Sequence, residues 1–158
     1  MSNVTRKVEV CILAGGQGSR FWPISRAKCP KQFLSISTNG ESLIQATARR
    51  LRSLASGGIT VVTNNQHREL VLKHVPEARI ISEPIGKNTA ASIGLAAIES
   101  RLRDPEAVLI VVPADHSVAD EQALLKTLQR AVLAASSGDR LVTVGIPPKY
   151  PHTGYGYI

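Results

Sequence analysis

The sequence predicts an α/β fold, a mostly parallel sheet with helices on both faces. Short apolar runs alternate along the chain with amphipathic stretches of helical length, the pattern of strand–helix–strand units. The first run, residues 8–14, feeds directly into Gly15, Gly16 and Gly18, as a buried strand ending in a loop does. The run at 107–112 is apolar at every position, as strands covered on both faces are. Crossovers between such strands are expected to be right-handed.

Taken in order, residues 8–14 are the first strand, and 15–41 are a long connection. Loops beyond ~15 residues usually carry function. Ser42 with Gln45 makes a capping box that starts a helix. Leu43, Ala46, Leu51 and Leu54 are expected on its buried face. Residues 59–63 are the second strand, and Asn64 or Asn65 caps a helix that Pro76 stops. Residues 79–82 are a short third strand, 83–89 a loop, and 90–102 a helix. Ala90, Ala91, Gly94, Ala96 and Ala97 would let that helix approach the sheet closely.

The strand at 107–112 is expected to be central, and Pro113-Ala114-Asp115-His116 ends it. Residues 120–135 read as an amphipathic helix with Leu124, Leu128 and Val132 on one face, closed by Ser136-Ser137-Gly138. Residues 141–145 read as a further strand, 146–153 as a proline-rich connection and 154–158 as the beginning of another strand. The segment 155–158 is expected to be frayed or paired with another chain, and the whole to be the front part of a longer protein.

The 158 residues suit one domain, and a chain of this size buries roughly 68–70% of its unfolded surface. There is no run of eighteen apolar residues to span a membrane, and the polar start lacks the apolar region of a signal peptide, so a cytoplasmic protein is the default. The net charge of +7 raises nucleic-acid binding. However, the cations are spread along the chain and only 4% of residues are aromatic, which does not suit base stacking. Cys11 and Cys29 are too few for a disulfide framework or a zinc site. Cys11 reads as a packed strand residue and Cys29 as a loop thiol.

The chemistry concentrates after the first strand. Leu13 and Ala14 lead into Gly15, Gly16 and Gly18, which lack a Cβ, so a polyanion can approach the backbone there. Successive N–H groups in such a loop form an anion-binding concavity. Arg20, Arg26, Lys28 and Lys31 add four cations nearby, which points to a phosphate chain. Phe21 stands where the dinucleotide fingerprint needs its third glycine, and the Gly-Lys-Ser/Thr of a P-loop is absent.

The run through Arg20 and Pro30-Lys31 resembles the signature of sugar-phosphate nucleotidyltransferases, Gly-Gly-x-Gly-x-Arg followed by Pro-Lys. Its extension, Phe21-Trp22-Pro23-x-Ser25-Arg26 and Pro30-Lys31-Gln32-Phe33, is similar to the mannose-1-phosphate guanylyltransferase branch, with Phe21 where leucine is usual. The resemblance runs from about Val8 to Ile158 and covers only the front of that family's catalytic domain. It implies a Rossmann-like, doubly wound sheet of the nucleotide-diphospho-sugar transferase type, truncated. The implied reaction is transfer of GMP from GTP to mannose-1-phosphate, giving GDP-mannose and pyrophosphate, with Mg²⁺ as cofactor.

In an open parallel sheet, ligands bind beyond the carboxyl ends of the strands. If the strand order is 3-2-1-4, the glycine loop and Asp115 face one crevice. Mg²⁺ takes hard oxygen ligands, commonly one or two carboxylates plus substrate phosphates, and Asp115 is the candidate. His116 reads as a structural or helix-start residue. The resemblance implies catalytic roles for Arg20 and Lys31, and nucleotide binding by Leu13, Ala14, Gly15, Gly16 and Gly18. It makes Glu83, Gly86, Asn88 and Thr89 a nucleobase loop, and Gly154 part of a sugar-phosphate loop. Asn88 or Thr89 could equally cap the following helix. Two other readings remain: a sugar nucleotidyltransferase using UTP, dTTP or ATP, and a non-catalytic nucleotide-binding module. Sheet edges left open would favour a homo-oligomer.

Overall fold

The computed structural model describes residues 6–16, 22–26, 29–35, 40–86, 88–138, 140–151, 153–154 and 156–157. Four parallel strands lie in the order β3-β2-β1-β4: β1 (Val8–Leu13), β2 (Gly58–Asn64), β3 (Arg79–Glu83) and β4 (Val108–Pro113). This is the 3-2-1-4 order on which the shared crevice of the glycine loop and Asp115 is conditional. Leu13 stands opposite Val62 on one side and Pro113 on the other, so the loops after β1 and β4 leave the same edge side by side.

Side-chain alternation divides the core between two faces. Val10 and Ile12 of β1, Ile59 and Val61 of β2 and Ile110 of β4 pack with α1 (Leu43–Leu51), α2 (Arg68–His74) and α4 (Glu121–Ser136). Cys11, Leu13, Val62, Ile81, Leu109 and Val111 meet Ala96 of α3 (Asn88–Arg103) on the other face. Burial pushes the Cys11 thiol up to about 12, so it behaves as a small apolar residue.

The local signals act as their chemistry dictates. Ser42 and Gln45 form the full capping box at α1, Asn64 accepts from the His67 amide, and Asp120 accepts from the Ala123 amide at the start of α4. His116 does not start a helix: it is exposed, and the cap falls four residues on, at Asp120.

Several expectations are corrected. The capping box fixes the phase of α1 so that Ile44, Thr47, Ala48 and Leu51 turn inward, while Leu43 and Ala46 are half-buried. On α3 the buried line is Ser92, Ala96 and Ser100; Ala90, Ala91, Gly94 and Ala97 are exposed. Spacing of four keeps one stripe on the sheet, and the other small residues fall outside it. Among the described residues β4 lies at the edge of the four-stranded order and pairs with β1 alone. Residues 141–145 form no strand; they are exposed and have no ladder partner among the described residues. The described residues of 154–158 form none either, and Tyr155 and Ile158 lie outside the described residues.

Charged groups bind the layers. Glu9, buried on β1, takes two hydrogen bonds from Arg103 at the end of α3, at 3.2 and 2.6 Å. On the opposite face Glu121 of α4 receives Arg49 at 2.9 and 2.7 Å and Arg50 at 3.2 Å, joining α4 to α1. Arg49 first, and Arg50 after it, hold the Glu121 carboxyl down to about 2. A lowered folded-state value contributes stability above the ordinary glutamate value, about 4.3, which fades as pH falls toward 2. Glu121→Gln is therefore expected to cost about 1 kcal/mol at pH 7, with solvent screening allowed for. Thermal melts from pH 7 down to pH 2 should show the gap between the two proteins closing below about pH 4.

Candidate nucleotide and metal site

The carboxyl edge of the sheet gathers groups from four segments. After β1 the chain crosses toward β2: the Ala14 amide donates to Val62 O at 2.8 Å. Gly15 and Gly16 follow, both exposed. A Cβ on Gly16 or Gly86 would meet no atom within 4 Å, and neither has a positive φ. Packing therefore does not demand glycine at these two positions; what their bareness preserves is open space over the backbone.

The long connection returns to this edge. Arg26 and Cys29 exchange backbone hydrogen bonds at 3.0 and 2.8 Å. Lys31–Phe33 then forms one turn of 3₁₀ helix. Its three side chains diverge. Phe33 packs into the core near the rings of His67 and His74, with centroids 6.0 and 5.4 Å away. Burial, and after it Lys73, lowers the pKa of His74, whose Nδ1 lies 2.8 Å from Ser42 Oγ. Gln32 is buried and donates through Nε2 to Ala14 O at 2.8 Å and Gly16 O at 3.0 Å. Lys31 reaches the other way, its Nζ 3.3 Å from Asp115 Oδ2.

Asp115 is set by β4. The Ala114 amide donates to Leu13 O at 3.0 Å, continuing the β1–β4 ladder one step past Pro113. The Asp115 carboxylate thus stands at the same edge as the glycine loop. With Lys31 22% and Asp115 40% exposed, the pair is worth at most about 1 kcal/mol and opens cheaply. A carboxylate that already accepts a cation, at an open rim, is a donor suited to Mg²⁺ shared with phosphate oxygens. Among the described residues no three His, Cys, Asp or Glu side chains cluster, so an all-protein metal cage is not formed there.

Glu83 ends β3 and is buried. Its Oε1 accepts from Ser92 Oγ at 2.7 Å, and a Cβ on Gly15 would lie 3.4 Å from its Oε2, so the carboxylate sits against the glycine loop. Gly86, Asn88 and Thr89 follow, all exposed. Asn88 heads α3 with φ of 74°, a left-handed conformation that asparagine tolerates better than most residues. Gly154 lies in an exposed turn, in a region that forms no strand among the described residues. Gly18, Arg20 and Lys28 lie outside the described residues.

The structure thus brings Leu13, Ala14, Gly15, Gly16, Lys31, Glu83 and Asp115 to one edge, with Gly86, Asn88 and Thr89 beside Glu83. Sequence reasoning missed Thr63 and Ser92. Thr63, fully buried at the end of β2, donates its hydroxyl to Ala14 O at 3.2 Å. A threonine in a strand carries no signal of that use, because β-branched residues are common there for packing alone.

A parallel 3-2-1-4 sheet with a glycine loop, a lysine and a carboxylate at its carboxyl edge defines an α/β protein of the doubly wound class, with groups there suited to a phosphate ligand. Residues 9–158 match the nucleotidyl transferase family, and the chain belongs to it. It is 43% identical over 152 residues to a mannose-1-phosphate guanylyltransferase of Salmonella montevideo, covering 93% of this chain and 31% of that protein. The chain spans about a third of the length of the curated relatives it matches. Its fold superposes on mannose-1-phosphate geranyltransferase from Thermus thermophilus with a TM-score of 0.74 and 30% identity, over 84% of this chain and 39% of that one. A putative glucose-1-phosphate thymidylyltransferase from Bacillus anthracis shares the fold at a TM-score of 0.63 and 18% identity, over 78% of this chain and 51% of that one. No helix among the described residues is long and apolar enough to cross a membrane.

The left-handed backbone at Asn88 makes a direct prediction. Asn88→Gly should melt within a few degrees of the parent, while Asn88→Val should lose about 1–2 kcal/mol, because a branched Cβ is strained at positive φ. Thermal denaturation of the two variants checks it.

Proposed function

We propose that this chain is the nucleotide-binding front portion of a cytoplasmic mannose-1-phosphate guanylyltransferase. The reaction is transfer of GMP from GTP to mannose-1-phosphate. A phosphate oxygen of the sugar bonds to the α-phosphorus of GTP, the bond from that phosphorus to the β-phosphate bridging oxygen breaks, and pyrophosphate leaves with the electron pair. GDP-mannose is the product. The observation that carries the reading is the meeting of Lys31 and Asp115, 3.3 Å apart, beside the loop at Gly15 and Gly16. Two remote segments converge there on the chemistry of a metal-bound triphosphate.

A phosphate monoester is already anionic at neutral pH, so no strong base is required. Catalysis then rests on alignment and charge neutralisation. In this reading the Gly15 and Gly16 backbone and Arg20 hold the β- and γ-phosphates, which become the leaving group. Lys31 leaves Asp115, at the small cost of an exposed pair, and neutralises charge building at the α-phosphate. Asp115, freed, would hold Mg²⁺, which would supply further charge neutralisation when bound. Glu83, committed to Ser92 and lying against Gly15, supports the loop from within. The exposed Gly86, Asn88 and Thr89 are the groups available to the guanine edge.

Calorimetry of the chain with GTP, UTP and ATP in Mg²⁺ tests the base. Tighter binding of GTP supports the reading, and a preference for UTP or ATP would move the protein to another branch of the family. In the full-length protein, Arg20→Ala or Lys31→Ala should lower kcat for pyrophosphate release with mannose-1-phosphate by about 100-fold, with a smaller loss of GTP affinity. Unchanged turnover with weaker binding would make them anchoring residues only.

A further inference from the structure

We infer that Gln32 is a positioning residue that sets the phosphate-binding face of the glycine loop; the inference rests on the functional reading above and deepens it. One nitrogen, Gln32 Nε2, donates to two carbonyls two residues apart, Ala14 O at 2.8 Å and Gly16 O at 3.0 Å. Thr63 Oγ1 donates to Ala14 O from the other strand, at 3.2 Å. In a trans peptide the N–H points opposite the C=O. Holding the Ala14 carbonyl inward therefore turns the Gly15 N–H away from Gln32 and Thr63. A loop whose carbonyls faced outward would instead present partial negative charge to a phosphate.

Gln32 is suited to this as few side chains are. It is 4% exposed, and Phe33 beside it is anchored in the core, so its reach is fixed by packing. A carboxylate in its place would set an acceptor against two acceptors. It also follows Lys31 in the same 3₁₀ turn. One short turn thereby ties the loop after β1, through Gln32, to the carboxylate after β4, through Lys31. Gln32 acts through the backbone and touches no reacting atom.

The test is Gln32→Met, which keeps length and apolar packing but removes the donor. Calorimetry would use three probes: GTP, inorganic tripolyphosphate and guanosine. Affinity for GTP and tripolyphosphate should fall about tenfold or more, as for loss of oriented donors to a charged ligand. Guanosine affinity should hold, because Gly86, Asn88 and Thr89 lie outside the clamp. Equal loss for all three probes, which general loosening would give, overturns the inference, as does no loss for any. Thr63→Val serves as a second variant should the first fail to fold. It removes the other donor to Ala14 O and should shift affinities in the same pattern by a smaller factor, with a uniform loss or none again contradicting the role. An unsubstituted chain that binds tripolyphosphate but not guanosine would sink the guanine reading alone. One that binds none of the probes overturns both the functional reading and the inference.

Discussion

The register of β1 between its two parallel neighbours governs the rest of the molecule. Val10, Cys11 and Ile12 are wholly buried, so a slip by one residue would exchange the two core faces, and neither could accept the other's side chains. That register sets Leu13 opposite both Val62 and Pro113. The ladder carries one step further on each side, through Ala14 N to Val62 O and Ala114 N to Leu13 O. The glycine loop and Asp115 are neighbours because hydrophobic burial several residues earlier leaves them no other place.

In the proposed function the rim uses weak interactions for what must change and strong ones for what must not. The Lys31–Asp115 pair is partly exposed and worth little, so an incoming ion or phosphate can displace it. The Ala14 carbonyl and Glu83 are buried and satisfied by Gln32, Thr63 and Ser92. Removing one partner of such a buried set costs about 1–3 kcal/mol, because the remaining group is left unsatisfied. A site that holds a polyanion needs both: a backbone cradle that does not relax and side-chain charges that do.

Much of this was legible in the sequence because it rests on local chemistry. The capping box at Ser42 and the caps at Asn64 and Asp120 are matters of a few neighbouring residues. The glycines and Asp115 were legible as residues at strand ends, while their meeting in one crevice depended on a 3-2-1-4 strand order that only the fold supplies. Less legible was anything decided by tertiary phase. The small residues of α3 gave no way to tell that Ser92, Ala96 and Ser100 form the packed stripe. The apolar run in β4 suggested a central strand, yet only Val108 and Ile110 are buried there, and helices over both faces of a strand do not require pairing on both of its edges. Residues 141–145 carry strand propensity, but propensity without a partner strand forms no ladder. The support given by Thr63 and Ser92 to the loop is likewise a property of the folded edge.

In the proposed function one rim binds a triphosphate on the β1 loop and its metal on Asp115. A crystal structure of the chain grown with GTP and Mn²⁺ tests it most directly, since anomalous scattering locates manganese independently of the phosphates. The expected result is a manganese peak bonded to Asp115 and phosphates over Gly15 and Gly16, with Lys31 drawn off the carboxylate. Manganese and phosphates bound together at a different edge of the sheet, with the Lys31–Asp115 pair intact, would contradict it.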